Sequence, residues 1–165
     1  MRDEAARRFV EARGHRTARD TGRRRSVDVS PEEALRLLGS VPVGRIIFTR
    51  HALPTARPVN HVLDNDDIII RTHERAALVS HARQNGGHGV VVAYEADDID
   101  PVSRTGWSVV ATGYCRLVTD PEQVARYQEM LHPWSDQHMD HVVRIRPDLI
   151  TGVRLIAVAG DGGES

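Results

Sequence analysis

The chain contains no lysine, a single cysteine and few aromatic residues. Each shortage excludes something. Without lysine there is no ε-amino group to form a Schiff base, which rules out pyridoxal-phosphate chemistry. All 22 fixed side-chain cations are guanidiniums. Arginine suits bidentate contact with phosphate or carboxylate. The lone Cys115 cannot form an intrachain disulfide, and its apolar surroundings read as a small core residue rather than a nucleophile. Long hydrophobic runs are also missing: none approaches the ~20 residues that span a bilayer as a helix. The N-terminus is charged and lacks the apolar stretch of a secretory signal. A cytoplasmic protein with no membrane partner is the expectation.

What is present is one domain's worth of sequence, 165 residues with a formal charge of −1. The charge is unevenly spread. Residues 1–25 hold nine arginines against four acids, so they carry +5 and the remainder −6. Polar and without periodicity, residues 1–25 read as a disordered arm, 26–159 as the folded domain and 160–165 as a glycine-rich tail. Arg23-Arg24-Arg25 is a basic run, but no aromatic beyond Phe9 interleaves the arm, so a solvated tail is expected rather than a contact with nucleic acid or anionic lipid.

The domain opens with a helix signature. Ser30 can cap it, Pro31 suits its first turn, Glu33 completes a capping box, and Gly39 stops it. Strands follow at Val43 to Arg50, Ala56 to Leu63 and Asp67 to Thr72, punctuated by His51 to Pro54 and by Asp64-Asn65-Asp66. Pro58 lacks an amide donor and belongs on an open strand edge or at a bulge. Glu74 to Gln84 reads as a second helix. Gly89 to Glu95 is a valine-rich strand, followed by an acidic turn from Ala96 to Pro101. Trp107 to Val118 is predicted to be the longest strand, with a bend at Gly113. A third helix begins at Asp120-Pro121. His141 to Arg146 and Gly152 to Val158 read as two strands broken at Pro147-Asp148. The absence of a βαβ rhythm favours a mainly β fold, an antiparallel barrel of six to seven strands with short peripheral helices.

Several chemistries find little support. His132, His138 and His141 lack a convincing metal-ligand set, and no metal is expected. Asp97, Asp98 and Asp100 lack calcium-loop spacing. Ser108 has no nucleophile elbow around it. Histidines 51, 61 and 73 are the candidates to meet near a ligand groove, as donors, acids or haem ligands.

In order, the segments Arg57-Pro58-Val59-Asn60-His61, Arg71-Thr72-His73 and Gly106-Trp107-Ser108 up to Gly113 resemble the pyridoxamine 5′-phosphate oxidase-like split-barrel family, including its nitroimidazole-resistance-type branch. The resemblance covers roughly residues 30–157. It implies a split-barrel homodimer binding flavin mononucleotide (FMN) in a groove at the dimer interface. Position by position, it implies that Arg57, Pro58, Val59 and Asn60 lie along the flavin ring and that Arg71 and Thr72 approach the phosphate, with His73 next to them as a further cofactor-binding residue. Arg75 and Ala77 fall where relatives carry Gly-Ser-Lys or a similar polar group. Ala76 and Ala77 have no phosphate-binding side chain, so only backbone amides at a helix N-terminus, or Arg75, can serve there. Trp107 and Ser108 are implied to face the groove. The implied activity is a flavin-dependent oxidoreductase acting on a small organic substrate, with no catalytic residue identifiable. The alternatives are a binding or sensing protein for flavin, haem or another tetrapyrrole, or a deazaflavin-dependent reductase.

Overall fold

The computed structural model describes residues 22–72, 88–132, 134 and 139–158. In chain order the elements are β1 (Arg24–Asp28), α1 (Pro31–Leu38), β2 (Val43–Arg50), β3 (Leu53–Asp64), β4 (Asp67–Thr72), β5 (Val90–Asp100), β6 (Thr105–Leu117), α2 (Pro121–Met130) and β7 (His141–Ala157). The strands form one seven-stranded sheet ordered β1-β7-β4-β3-β2-β5-β6, and β6 also pairs with β7. That pairing closes the sheet into an antiparallel barrel. The expected mainly β barrel with short peripheral helices is what the chain forms. The helix expected over Glu74 to Gln84 lies outside the described residues.

Alternation builds the main core. Val92, Tyr94 and Ala96 of β5 and Trp107, Val109, Ala111 and Cys115 of β6 point inward, with Ile46, Phe48, Ile68, Ile70 and Ile145. Helix α1 adds Ala34, Leu37 and Leu38 to it. The run Ile68-Ile69-Ile70 is buried on both faces of β4. Ile68 and Ile70 enter the barrel, while Ile69 faces outward into a second cluster with Tyr127, Leu131 and Val142, where α2 packs.

The local signals work as their chemistry requires, with one exception. The Ser30 side chain accepts from the Glu33 amide at 3.2 Å. The reciprocal half of the box does not form. Glu33 Oε1 instead receives Arg154 Nε at 2.8 Å, tying α1 to β7. Asp120 caps α2 by accepting from the Glu122 amide at 3.2 Å.

Four expectations are corrected. β1 begins at Arg24, so the basic run is partly strand: Arg24 and Arg25 pair with Ala157 and Ile156. The acidic stretch is not a turn. Residues Ala96 to Asp100 continue β5 and pair with β6 from Val109 to Thr105. Its outward charges are matched, since Arg45 of β2 donates to Glu95 at 2.8 Å and Asp97 at 2.9 Å. The turn falls at Pro101 to Arg104. The third correction concerns β7, which is one strand of 17 residues, longer than the 13 of β6. Pro147 sits inside it, opposite Gly113, where the β6–β7 register shifts after Thr112. A bulge is the position in a sheet that tolerates proline. Finally, the hairpin turn between β2 and β3 is only His51-Ala52, both left-handed with φ of 50° and 64°. Leu53 and Pro54 therefore belong to β3. Among the described residues no helix is long and apolar enough to cross a membrane.

Candidate functional site

The β2–β3 pairing runs from Val43↔Asn60 to Arg50↔Leu53. On its other side β3 pairs with β4 only over His61 to Asp64. Among the described residues the stretch from Leu53 to Asn60 is therefore bonded on one side only. Pro58, paired with Arg45 of β2, lies in that stretch, as a residue without an amide donor should.

A pocket of about 230 Å³ opens beside this stretch, lined by Val43, Pro58, Val59, Asn60, Arg71, Trp134 and Met139. Asn60 and Arg71 are the next residues along β3 and β4 after the paired His61 and Ile70. Both reach the connection between α2 and β7. Asn60 Nδ2 donates to the His132 carbonyl at 2.9 Å. Arg71 Nε and Nη2 donate to the Met139 carbonyl at 3.0 and 2.7 Å, and Nη1 to the Leu131 carbonyl at 3.0 Å. Trp134 is 72% exposed, the largest apolar side chain left so open. The lining is chiefly apolar, with one amide and one guanidinium as polar groups.

The expected site residues divide into four groups. Pro58, Val59, Asn60 and Arg71 line the pocket together. Arg57 and Thr72 adjoin it in sequence but do not line it. Arg57 is exposed, and its guanidinium makes no ion pair or hydrogen bond among the described residues. Thr72 pairs with His141. Trp107 and Ser108 are elsewhere. Trp107 is 6% exposed within the main core, and Ser108 pairs with Asp97 and Val153. Trp107 is thus core, because inward alternation on β6 puts it there. His73, Arg75 and Ala77 lie outside the described residues. Val43, Trp134 and Met139 were not expected. Only Trp134 carried any signal, as one of two tryptophans in an aromatic-poor chain.

Of the histidines expected near the groove, neither His51 nor His61 lines this pocket, and His73 lies outside the described residues. His51 occupies the β2–β3 turn. His61 is 5% exposed, with Nε2 2.8 Å from the Leu38 carbonyl and Nδ1 2.8 Å from the Tyr94 hydroxyl. A carbonyl only accepts, so Nε2 carries the proton and Nδ1 receives the Tyr94 O–H. Burial lowers the His61 pKa below its ordinary value, only partly opposed by the Leu38 carbonyl. His61 is a neutral, saturated core residue and not an acid presented to a ligand.

The closed seven-stranded barrel, with its one-sided strand and short peripheral helices, has the architecture of a split barrel. The sequence matches the pyridoxamine 5′-phosphate oxidase family over residues 30–154, and the chain belongs to that family. The uncharacterized protein Rv0080 of Mycobacterium tuberculosis is 52% identical over 144 residues, covering 87% of this chain and 95% of that protein. Among solved structures, the FAD binding protein of Mycobacterium smegmatis is 32% identical with a TM-score of 0.57, covering 79% of this chain and 98% of that one. The FAD and heme binding protein of the same organism shares the fold at 12% identity, with a TM-score of 0.56, covering 84% and 87%.

Proposed function

We propose that the chain binds a flavin, with FMN as the foremost candidate, and acts as an oxidoreductase on a small organic substrate. The observation that carries this is the pocket: apolar and aromatic walls from Val43, Pro58, Val59, Trp134 and Met139, with polar groups from Asn60 and Arg71. A flavin ring has apolar faces and a hydrogen-bonding edge, and that lining fits it. The 32% identical FAD binding protein supports the same ligand class. The phosphate is less well provided for, because the Arg71 guanidinium is engaged by carbonyls. Arg57, exposed on β3 next to Pro58, is the cation at hand. When bound, the flavin supplies hydride exchange, and the protein's part is binding and orientation.

The pocket's 230 Å³ falls below the ~300–1,000 Å³ usual for small-molecule sites. A complete flavin needs more wall than one copy gives, and we propose that a second copy supplies it in a homodimer. An apolar outer face is available for self-association. Val91 stands opposite Tyr114, and Thr112, two residues along β6, stands opposite Leu149. Val91, Tyr114 and Leu149 are all exposed.

The visible spectrum of purified protein, followed by titration with FMN, tests the reading. A flavin spectrum, or saturable quenching of flavin fluorescence on titration, is expected. A haem or deazaflavin spectrum, with no affinity for FMN, would overturn it.

A further inference from the structure

We infer that Arg71 and Asn60 are positioning residues, anchoring Leu131, His132 and Met139 on either side of Trp134 in sequence so that Trp134 forms the wall against which a planar ring stacks. The inference rests on the flavin reading of the pocket and deepens it.

Arg71 has Nη1 on the Leu131 carbonyl, directly after α2, and Nε and Nη2 on the Met139 carbonyl, two residues before β7. One side chain thus holds both ends of the connection. A planar, always-charged fork is suited to that task, and a cation at a helix C-terminus is favoured by the carbonyls exposed there. Asn60 adds a third anchor at His132. Trp134 lies between these anchors.

Trp134 itself points to a ligand. A tryptophan 72% open to solvent forgoes the burial that normally makes its large surface useful. It is nevertheless part of an apolar pocket wall shared with Val43, Val59 and Met139. A flat ring in that pocket would cover it. The other tryptophan, Trp107, is sealed in the main core and does not line the pocket, so quenching by direct contact with a ligand there reports on Trp134.

Two roles for Arg71 make opposite forecasts. If it bound the phosphate, its loss would weaken FMN and leave riboflavin, which has no phosphate, nearly unchanged. As a positioning residue, it affects both ligands alike. The experiment titrates riboflavin and FMN into the full chain and into W134A, W134F, R71A and N60A, reading flavin and tryptophan fluorescence. Both ligands are expected to quench wild-type tryptophan emission, and W134F to lose most of that signal while still binding. W134A should weaken both ligands by about tenfold, the scale of one aromatic stack. R71A should weaken both by equal factors, and should add little when placed on W134A. Without ligand, R71A should also make Trp134 emission more accessible to a soluble quencher. N60A, which removes a single anchor, should follow in the same direction and lesser degree, and it serves if R71A fails to fold. An FMN-selective loss in R71A overturns the inference in favour of a phosphate contact. Wild-type affinity of W134A for both ligands overturns it while leaving the flavin reading intact. Failure of the wild type to bind either ring overturns both.

Discussion

The Tyr94 hydroxyl lies 2.8 Å from His61 Nδ1 inside the barrel, with the two rings edge-on at 5.1 Å. The contact closes a chain from the Leu38 carbonyl at the end of α1, through the imidazole, to β5. It also brings the Tyr94 hydroxyl within 3.2 Å of the Val59 carbonyl, on the strand that borders the pocket. Removing the hydroxyl would leave His61 Nδ1 without its donor in a dry interior. Tyr94→Phe is expected to cost about 1–3 kcal/mol. Urea denaturation of the two proteins checks this, and an unchanged midpoint would show that the imidazole finds another partner.

The same pair makes stability depend on pH. The folded pKa of His61 lies below its ordinary 6.5 because burial disfavours the imidazolium. The unfolded chain therefore takes up a proton at a pH where the native chain does not. Stability from the neutral, buried ring is fully present above the unfolded pKa and is lost as pH falls towards the folded one. Denaturation midpoints should drop between neutral and mildly acidic pH, and His61→Gln should flatten that slope. An equal slope in the variant would assign the acid sensitivity to other groups.

Self-association can be tested without touching the pocket. Val91 is 57% exposed, so Val91→Asp costs the single copy little. A charge there should turn a dimer into a monomer by light scattering, with an unchanged circular dichroism spectrum. A wild type that is monomeric at micromolar concentration while holding flavin contradicts the homodimer.

The β6–β7 bulge, where Asp148 is passed over in the pairing, is a specific requirement for glycine on the facing strand. A Cβ on Gly113 would stand 1.9 Å from the Arg146 carbonyl, a backbone atom that cannot swing aside. Gly113→Ala should therefore destabilise by about 1–3 kcal/mol or more, as overpacking does. Thermal melts measure it, and an unaltered midpoint would mean that β7 yields at Pro147.

Removing residues before Gly22 leaves all of β1, and such a chain should melt as the full one does. A chain beginning at Val27 loses Arg24, Arg25 and Ser26 and their pairing with Leu155 to Ala157. A cost of about 0.5–3 kcal/mol is expected. Equal melting of the two truncations would make the first half of β1 dispensable.

What the sequence disclosed follows the range of the forces involved. The termini of α1, and β2 and β4 entire, are written locally in caps, turns and alternation. The continuation of β5 was hidden because a run of acids looks like a loop until Arg45, about fifty positions away, is placed across from Glu95 and Asp97. Pro147 split β7 in the reading because its partner at the bulge, Gly113, belongs to another strand. The pocket was half legible. Pro58, Val59, Asn60 and Arg71 sit on strands with a recognisable order, whereas Trp134 and Met139 come from a connection without periodicity. The engagement of Arg71 by carbonyls had no signature at all, because main-chain oxygens are the same in every residue.

Cys115, sealed in the main core, has a practical consequence. Burial pushes its thiol up to about 12, so almost none is thiolate at neutral pH. It is also the only sulfhydryl in the chain. An alkylating reagent can reach it only when the barrel parts around β6. The labelling rate then counts those rare partings, giving a clock for the intact protein under native conditions. Any ligand that prefers the closed barrel must slow that clock in proportion to its occupancy, whether or not it changes colour or fluorescence.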